Sequence, residues 1–449
     1  MVGKYAIFAC KLCIYGVGVT DKRIDVCVLG LGVTGYATAA YFHEQGLRVS
    51  VLDDHVNPPL LERLKKDYPQ IKFGSVTSSW LRRIDKVVIS PGIKPTNPVV
   101  IKLKKLAIPI YSDIDIFLQH WDKPVYMITG SNGKSTVVKL LHDMLAATGK
   151  RCCMLGNIGK PVLSTLTQST VYDCAVVEVS SFQLYWSKKI RATVGAVLNI
   201  SPNHLDWHDS WDCYVNSKLR LLEGSAQIVC DQKLAPLLNS RRFAKPAWIG
   251  TTAEITGPQA EILKEVPASL QQSVLSAWAI GEVIGIATDC MQTAVHKFQP
   301  WPYRCQRVVN AEGIWYNDAK SSNLAAAKHA LDSIHQKHGK KMFWIAGGRT
   351  KNEDFTVLAA WIKSRVVHAF VYGEDRQIFV TALREHCPVT PVEQLQDAVA
   401  LVAKGLKKDD VVVFSPAAAS FDQFENYQHR GQVFTEKVHH HSRASQYEA

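Results

Sequence analysis

The stretch Val125-Tyr126-Met127-Ile128-Thr129-Gly130-Ser131-Asn132-Gly133-Lys134-Ser135-Thr136 decides how this chain is to be read. Residues 125–128 are a short apolar run suited to a buried strand, 129–136 a loop of small polar residues, and 137–147 a helical pattern. Backbone N–H groups at a glycine-rich turn opening onto a helix cradle phosphate oxygens. A lysine at the position of Lys134 neutralises the outer phosphates, and a hydroxyl at Ser135 or Thr136 can hold Mg²⁺. The common phosphate loop has a first glycine where this chain has Ile128, and here only two residues separate Gly130 from Gly133. Strand, loop and helix still fall in the right order, so Gly130, Ser131, Asn132, Gly133, Lys134, Ser135 and Thr136 are the expected ATP-binding residues.

Working outward, residues 24–29 form an apolar run followed by Gly30-Leu31-Gly32-Val33-Thr34-Gly35, a helical stretch to Gly46, and a second strand, 48–52, closed by Asp53. This is a βαβ pattern with a G-x-G-x-x-G turn, which marks either a nucleotide phosphate site or a tight strand-to-helix turn. Further strands are expected at 87–90, 175–179, 194–200, 314–317, 342–346, 369–372 and 411–414, each followed by loop and helical pattern. Such alternation predicts parallel sheets with helices on both faces. The expected fold is α/β in three domains: a Rossmann-like domain at 24–111, a central P-loop ATPase-like domain at 112–300 and a Rossmann-like domain at 301–438. Residues 1–23 form an extension of unknown role and 439–449 a tail.

Composition agrees with this organisation. At roughly 150 residues per domain, 449 residues give about three domains, and 47% apolar with 20% charged residues excludes a disordered, collagen-like or coiled-coil chain. Lys and Arg number 52 against 40 Asp and Glu, a net charge of +12. The basic residues are scattered as singles and pairs such as Lys65-Lys66 and Lys188-Lys189, without interleaved aromatics. Small anions therefore fit better than nucleic acid. The 11 cysteines are spread through core-like segments, the habit of a reducing cytosol. Cys10 and Cys13 stand alone, with no second pair at zinc spacing. Residues 5–20 are broken by Lys11 and fall short of the roughly 20 residues of a spanning helix, so no membrane attachment is expected. A cytoplasmic monomer is the expectation.

Two further residues carry chemistry on their own account. Glu178 lies late in an apolar strand, where an unpaired carboxylate is costly to bury; a metal ion or a basic partner would relieve it, and Ser180 and Ser181 offer further oxygens. His204 follows the next strand end and is either a ligand beside the phosphate site or a packed histidine.

Together these motifs resemble the Mur ligases. Residues 129–136, Gly156-Asn157-Ile158-Gly159, Glu178-Val179-Ser180-Ser181-Phe182-Gln183-Leu184 and 199–206 are similar to that family's central domain. Asn317-Asp318-Ala319-Lys320-Ser321-Ser322-Asn323 and residues 415–424 are similar to its D-glutamate-adding branch. The resemblance runs from about residue 24 to 438. It implies an ATP- and Mg²⁺-dependent ligase acting on UDP-N-acetylmuramoyl-L-alanine and D-glutamate through an acyl phosphate. It also implies site roles: Lys134, His204, Lys218 and Lys320 at the reacting groups, Ser135 and Glu178 at one magnesium ion, and His204 with a CO₂-derived carbamate on Lys218 at a second. Arg304 and Asp318 would join the loop in holding ATP. Gly30, Val33, Thr34, Asp53 and Asn157 would hold the UDP substrate, and Ser322, Lys351, Ser420 and Tyr427 D-glutamate. The chain departs from the family pattern at Ser269-Leu270-Gln271-Gln272-Ser273, where adenine contacts would fall to Gln271 or Gln272. It departs again at Tyr303, and at Asp54 and His55 after Asp53. The alternatives are another Mur or folyl-polyglutamate synthase-like ligase, and a non-catalytic nucleotide-binding or NAD-binding module.

Overall fold

The computed structural model describes residues 24–74, 84–205, 207–239, 243–250, 255–309, 312–350 and 353–447. The chain forms two compact units, Met1–Asp113 and Ile114–Ala449. In the first, β1 (Val26–Leu29), β2 (Val49–Leu52), β3 (Lys72–Gly74), β4 (Val87–Ile89) and β5 (Ile110–Tyr111) pair in the order β3-β2-β1-β4-β5, all parallel. Every residue of β1 and β2 is buried, as expected of strands covered on both faces; β1 is wholly apolar and β2 is interrupted only by the buried Ser50. The turn after β1 is tight. Gly30 has φ +94°, and a Cβ built on Gly35 would fall 1.9 Å from the Gly30 carbonyl oxygen.

The second unit holds two sheets. The first comprises β6 (Val125–Thr129), β7 (Cys152–Gly156), β8 (Cys174–Glu178), β9 (Ala192–Val197), β10 (Ser225–Asp231) and β11 (Ala247–Ile249). Their order is β11-β10-β9-β6-β8-β7, and all pairs are parallel. Alternation along β9 sends Val194 and Ala196 to a core shared with helices Lys134–Ala147 and Ala268–Val283. Val197 goes to another core, with Val215, Leu219 and Leu222 of helix Trp211–Glu223. Because β6 lies between β8 and β9, the loops leaving Thr129, Glu178 and Val197 open side by side at the carboxyl ends of the strands. Doubly wound sheets bind ligands there.

The other sheet comprises β12 (Gln306–Val308), β13 (Ile314–Asn317), β14 (Met342–Gly347), β15 (Val366–Tyr372), β16 (Val389–Pro391) and β17 (Val411–Phe414). Their order is β12-β13-β17-β14-β15-β16, with apolar cores on both faces. Again three adjacent strands, β13, β17 and β14, release their loops together.

The three-domain α/β expectation holds, with local corrections. β12 runs antiparallel to β13, so this sheet is mixed. The helix after the phosphate loop starts at Lys134, not Val137, because Gly133 adopts φ +80° and its carbonyl accepts the N–H of Thr136 and Val137. β9 stops at Val197, not residue 200. The last helix, Tyr427–Tyr447, runs through most of the segment read as a tail; there His439 Nε2 bonds the Val309 carbonyl.

Two of the three glycines of the first turn predict opposite outcomes. Gly35→Ala collides with backbone and should destabilise the protein by about 2 kcal/mol or more. Gly32→Ala, with nothing within 4 Å of its Cβ position, should leave thermal stability unchanged. Paired thermal unfolding scans check both.

Candidate active site

The phosphate loop is held from beneath by side chains remote in sequence. Asn199 accepts the Asn132 N–H at 2.9 Å and donates to the Asn132 carbonyl at 3.1 Å. Ser131 Oγ accepts the Ser201 N–H at 2.9 Å, donates to its carbonyl at 3.0 Å and shares a 2.7 Å hydrogen bond with the hydroxyl of buried Tyr214. Lys134 Nζ curls back to the carbonyls of Gly130 (2.7 Å) and Ser131 (3.0 Å). Trp301 donates to the Ser135 carbonyl at 3.1 Å and Asn323 to Asn132 Oδ1 at 3.4 Å, tying the domain that carries the third sheet to this loop.

Glu178 and Lys218 are each 2% exposed. Glu178 Oε1 accepts the Asn157 amide at 2.7 Å, while Oε2 is buried with no hydrogen-bond partner. Gly156, at φ +101°, makes the close approach: a Cβ there would lie 2.2 Å from the Glu178 carbonyl oxygen. Lys218 Nζ donates to the Gly130 carbonyl at 2.9 Å and sits 4.8 Å above the Tyr214 ring. Burial, and then the charge of Lys134, hold the Lys218 ammonium well below the usual lysine range, partly opposed by Glu178. Burial also lowers Lys134, with Glu178 opposing and Arg304 adding to the shift. His204 has a left-handed backbone, φ +57°, and sets its ring 4.8 Å from Phe182.

The fit to a divalent ion is partial and specific. Among the described residues no group of three or more His, Cys, Asp or Glu is gathered to hold a metal. Magnesium, however, keeps several waters and needs only one or two carboxylates beside phosphate oxygens. The unpartnered Glu178 oxygen suits that role. Ser180 and Ser181 do not supply further ligands as expected. Ser180 caps helix Ser181–Trp186 in a reciprocal box with Gln183, and Ser181 Oγ is bonded to His208.

From the third sheet, Asp318 and Lys320 follow β13. Asp318 is buried, accepting Ser415 Oγ at 2.8 Å and the Cys305 N–H at 3.2 Å. Burial raises its carboxyl to about 7, against the hydrogen bonds of Ser415 and Cys305 and the charges of Arg304 and Arg430. Lys320 Nζ lies 4.0 Å from the Tyr427 ring centroid. The Tyr427 phenol feels the charges of Arg304 and Glu178, so these residues share one electrostatic neighbourhood. Ser322 is half-buried before helix Leu324–His338, and Ser420 is buried in the loop after β17. Lys351 lies outside the described residues.

In the first unit, Asp53 braces the glycine turn, accepting the N–H of Leu31 at 2.6 Å and of His55 at 2.9 Å. Val33 is 67% exposed at the helix start and Thr34 is half-buried behind it. Asp54 accepts the Asn97 amide at 2.7 Å. Gln271, expected near adenine, instead donates to the carbonyls of Leu263 and Val266.

Sequence reasoning missed Asn199, Tyr214, His208, Trp301 and Arg430. Arg430 is fully buried and donates to the carbonyls of Ala418 (3.0 Å) and Ala319 (2.8 Å), joining the loops that carry Ser420 and Lys320. Only Tyr214 carried a signal, lying one helical turn before Lys218.

Fold and site thus define a three-domain α/β protein organised around a phosphate-binding loop. The MurD-like N-terminal domain of the Mur ligases matches residues 24–112, the Mur ligase middle domain 128–245 and the Mur ligase glutamate ligase domain 303–418. A UDP-N-acetylmuramoylalanine–D-glutamate ligase of Pseudomonas syringae pv. tomato is 33% identical over 439 residues, covering 92% of this chain and 97% of the relative. One from Legionella pneumophila is 31% identical, covering 92% and 98%. Among solved structures, a MurF ligase of Thermotoga maritima in complex with ADP aligns with TM-score 0.59 at 14% identity, covering 88% of this chain and 95% of its own. A UDP-N-acetylmuramate–alanine ligase of the same organism gives 0.58 at 13%, covering 92% and 99%. The chain belongs to the Mur ligase family.

Asp318 yields a pH prediction. Its carboxyl is raised from 3.8 to about 7, so its contribution is fully present below the unfolded value and is lost as pH rises through 7. Asp318→Asn cannot ionise and should therefore melt above the wild type near pH 8, with the gap closing towards pH 5. Thermal unfolding across that range checks the sign.

Proposed function

We propose that the chain joins D-glutamate to UDP-N-acetylmuramoyl-L-alanine at the expense of ATP, a step of peptidoglycan precursor synthesis, in the cytoplasm and as a monomer. The observation that carries this reading is the convergence of Lys134, Lys218 and Glu178 on the phosphate loop. Two buried lysine side chains and a carboxylate with an open oxygen suit a triphosphate meeting an acid, and the curated relatives are named for this activity.

The chemistry needs no enzyme nucleophile. An oxygen of the acceptor carboxylate attacks the γ-phosphorus and ADP leaves, giving an acyl phosphate. The D-glutamate amine then attacks the acyl carbon, phosphate departs, and the nitrogen loses a proton. Lys134 and the loop amides would hold the phosphates in line, with Arg304 adding positive charge and Asp318 taking the ribose. Ser135 and Glu178 would hold one magnesium ion, and His204 with a carbamate on Lys218 a second; the metal would supply charge neutralisation for the phosphates and the acceptor acid. The state of Lys218 supports that assignment. An ammonium has no lone pair, and burial that lowers the proton affinity of Lys218 favours the neutral amine, the form that adds CO₂ and releases a proton. Lys320 would lie at the reacting groups. Ser322, Lys351, Ser420 and Tyr427 would receive D-glutamate, and Gly30, Val33, Thr34, Asp53 and Asn157 the UDP substrate.

Phosphate release with the UDP-muramoyl-L-alanine acceptor should require D-glutamate and be absent with L-glutamate, L-lysine or glycine. Activity with an L-amino acid alone would overturn the assignment. Lys218→Ala should lose about 100-fold or more in kcat, in line with loss of a metal-site group, and recover partly with added short-chain carboxylates.

A further inference from the structure

Residues 198–210 link β9 to the helix that carries Lys218, and His204 stands in the middle of this long loop. Its φ of +57° is costly for a residue with a Cβ and persists only where the surroundings impose it. The His204 carbonyl accepts the N–H of both Trp207 (3.1 Å) and His208 (2.9 Å), so His204 and His208 belong to one closed turn. The imidazole of His208 is buried, 1% exposed, and shares a 2.9 Å hydrogen bond through Nε2 with Ser181 Oγ. Ser181 opens the helix three residues after Glu178. On its other side, His208 Nδ1 is 3.7 Å from Cys213 Sγ, in the first turn of helix Trp211–Glu223, and its ring is 5.3 Å from that of Tyr214. One side chain therefore links the helix that follows Glu178, the turn of His204 and the helix that carries Lys218.

We propose that His208 is a positioning residue. Through its bond to Ser181 it holds the His204 turn to the start of the helix that follows Glu178, so that His204 and Glu178 keep their places at the magnesium site. This rests on the ligase reading above, because the ion matters only if a nucleotide phosphate is bound. His208 makes no contact with the reacting groups; it acts through Ser181 and the turn.

The test uses the full-length protein and calorimetric titration with a non-hydrolysable ATP analogue, in Mg²⁺ and in EDTA. In the wild type, Mg²⁺ should strengthen binding of the analogue; if it does not, the ligase reading itself fails. His208→Phe fills the space without either polar contact. It should shrink the Mg²⁺ enhancement about tenfold, within the range for lost supporting contacts at metal sites, while affinity for the analogue in EDTA stays at the wild-type value. In turnover it should lower kcat and leave KM for the UDP substrate unchanged. Ser181→Ala should reproduce the loss, and the double variant should lose no more than either single, since both remove one contact. His208→Gln, whose amide can still reach Ser181, should recover most of the enhancement and answers for any unfolding of the phenylalanine variant. An unchanged Mg²⁺ enhancement in folded His208→Phe, losses that multiply in the double variant, or a folded His208→Gln no better than phenylalanine would each overturn the proposal.

Discussion

The site depends on one electrostatic arrangement: two lysines from different helices donate to the same carbonyl, that of Gly130, beneath a loop built to receive phosphate. Burying an ion costs several kcal/mol unless it is compensated, and Glu178 is the carboxylate whose charge both lysines feel. The arrangement is poised for anions. A triphosphate would supply the charge these cations lack, while the open oxygen of Glu178 would take up part of any divalent ion that accompanies it.

The packing around this centre serves to hold it in shape. Asn199, Ser201 and Tyr214 fix the loop from the β9 side. Gly156 lets β7 approach the end of β8 closely enough for Asn157 to grip Glu178. On the third sheet one buried guanidinium, Arg430, binds the carbonyls of two loops and so keeps Lys320 and Ser420 on a common frame. Asp318 sits in the same apolar surroundings, which is why its carboxyl resists ionisation until near neutrality.

Much of the fold was legible. The strands at 314–317 and 411–414 were read with the bounds they have, because unbroken apolar runs ended by turn residues leave little choice. The short strands β3, β5, β11, β12 and β16 were not read, since two or three residues carry no periodicity, and the longer β7 and β10 were not read either. The helix start at Lys134 was misjudged for a clear reason: the polar residues of its first turn look like loop until the left-handed Gly133 is known.

The sequence by itself determined the phosphate loop, the alternation that builds parallel sheets, and the residue types at the strand ends, because these depend on local order and spacing. Only the tertiary structure decided which of them act together. That Lys218 shares a carbonyl with Lys134, that Ser181 belongs to His208 and that Asp53 braces the glycine turn all follow from contacts between segments far apart in the chain. Hydrogen-bond partnership and desolvation are properties of three-dimensional neighbourhood, and no local pattern encodes them.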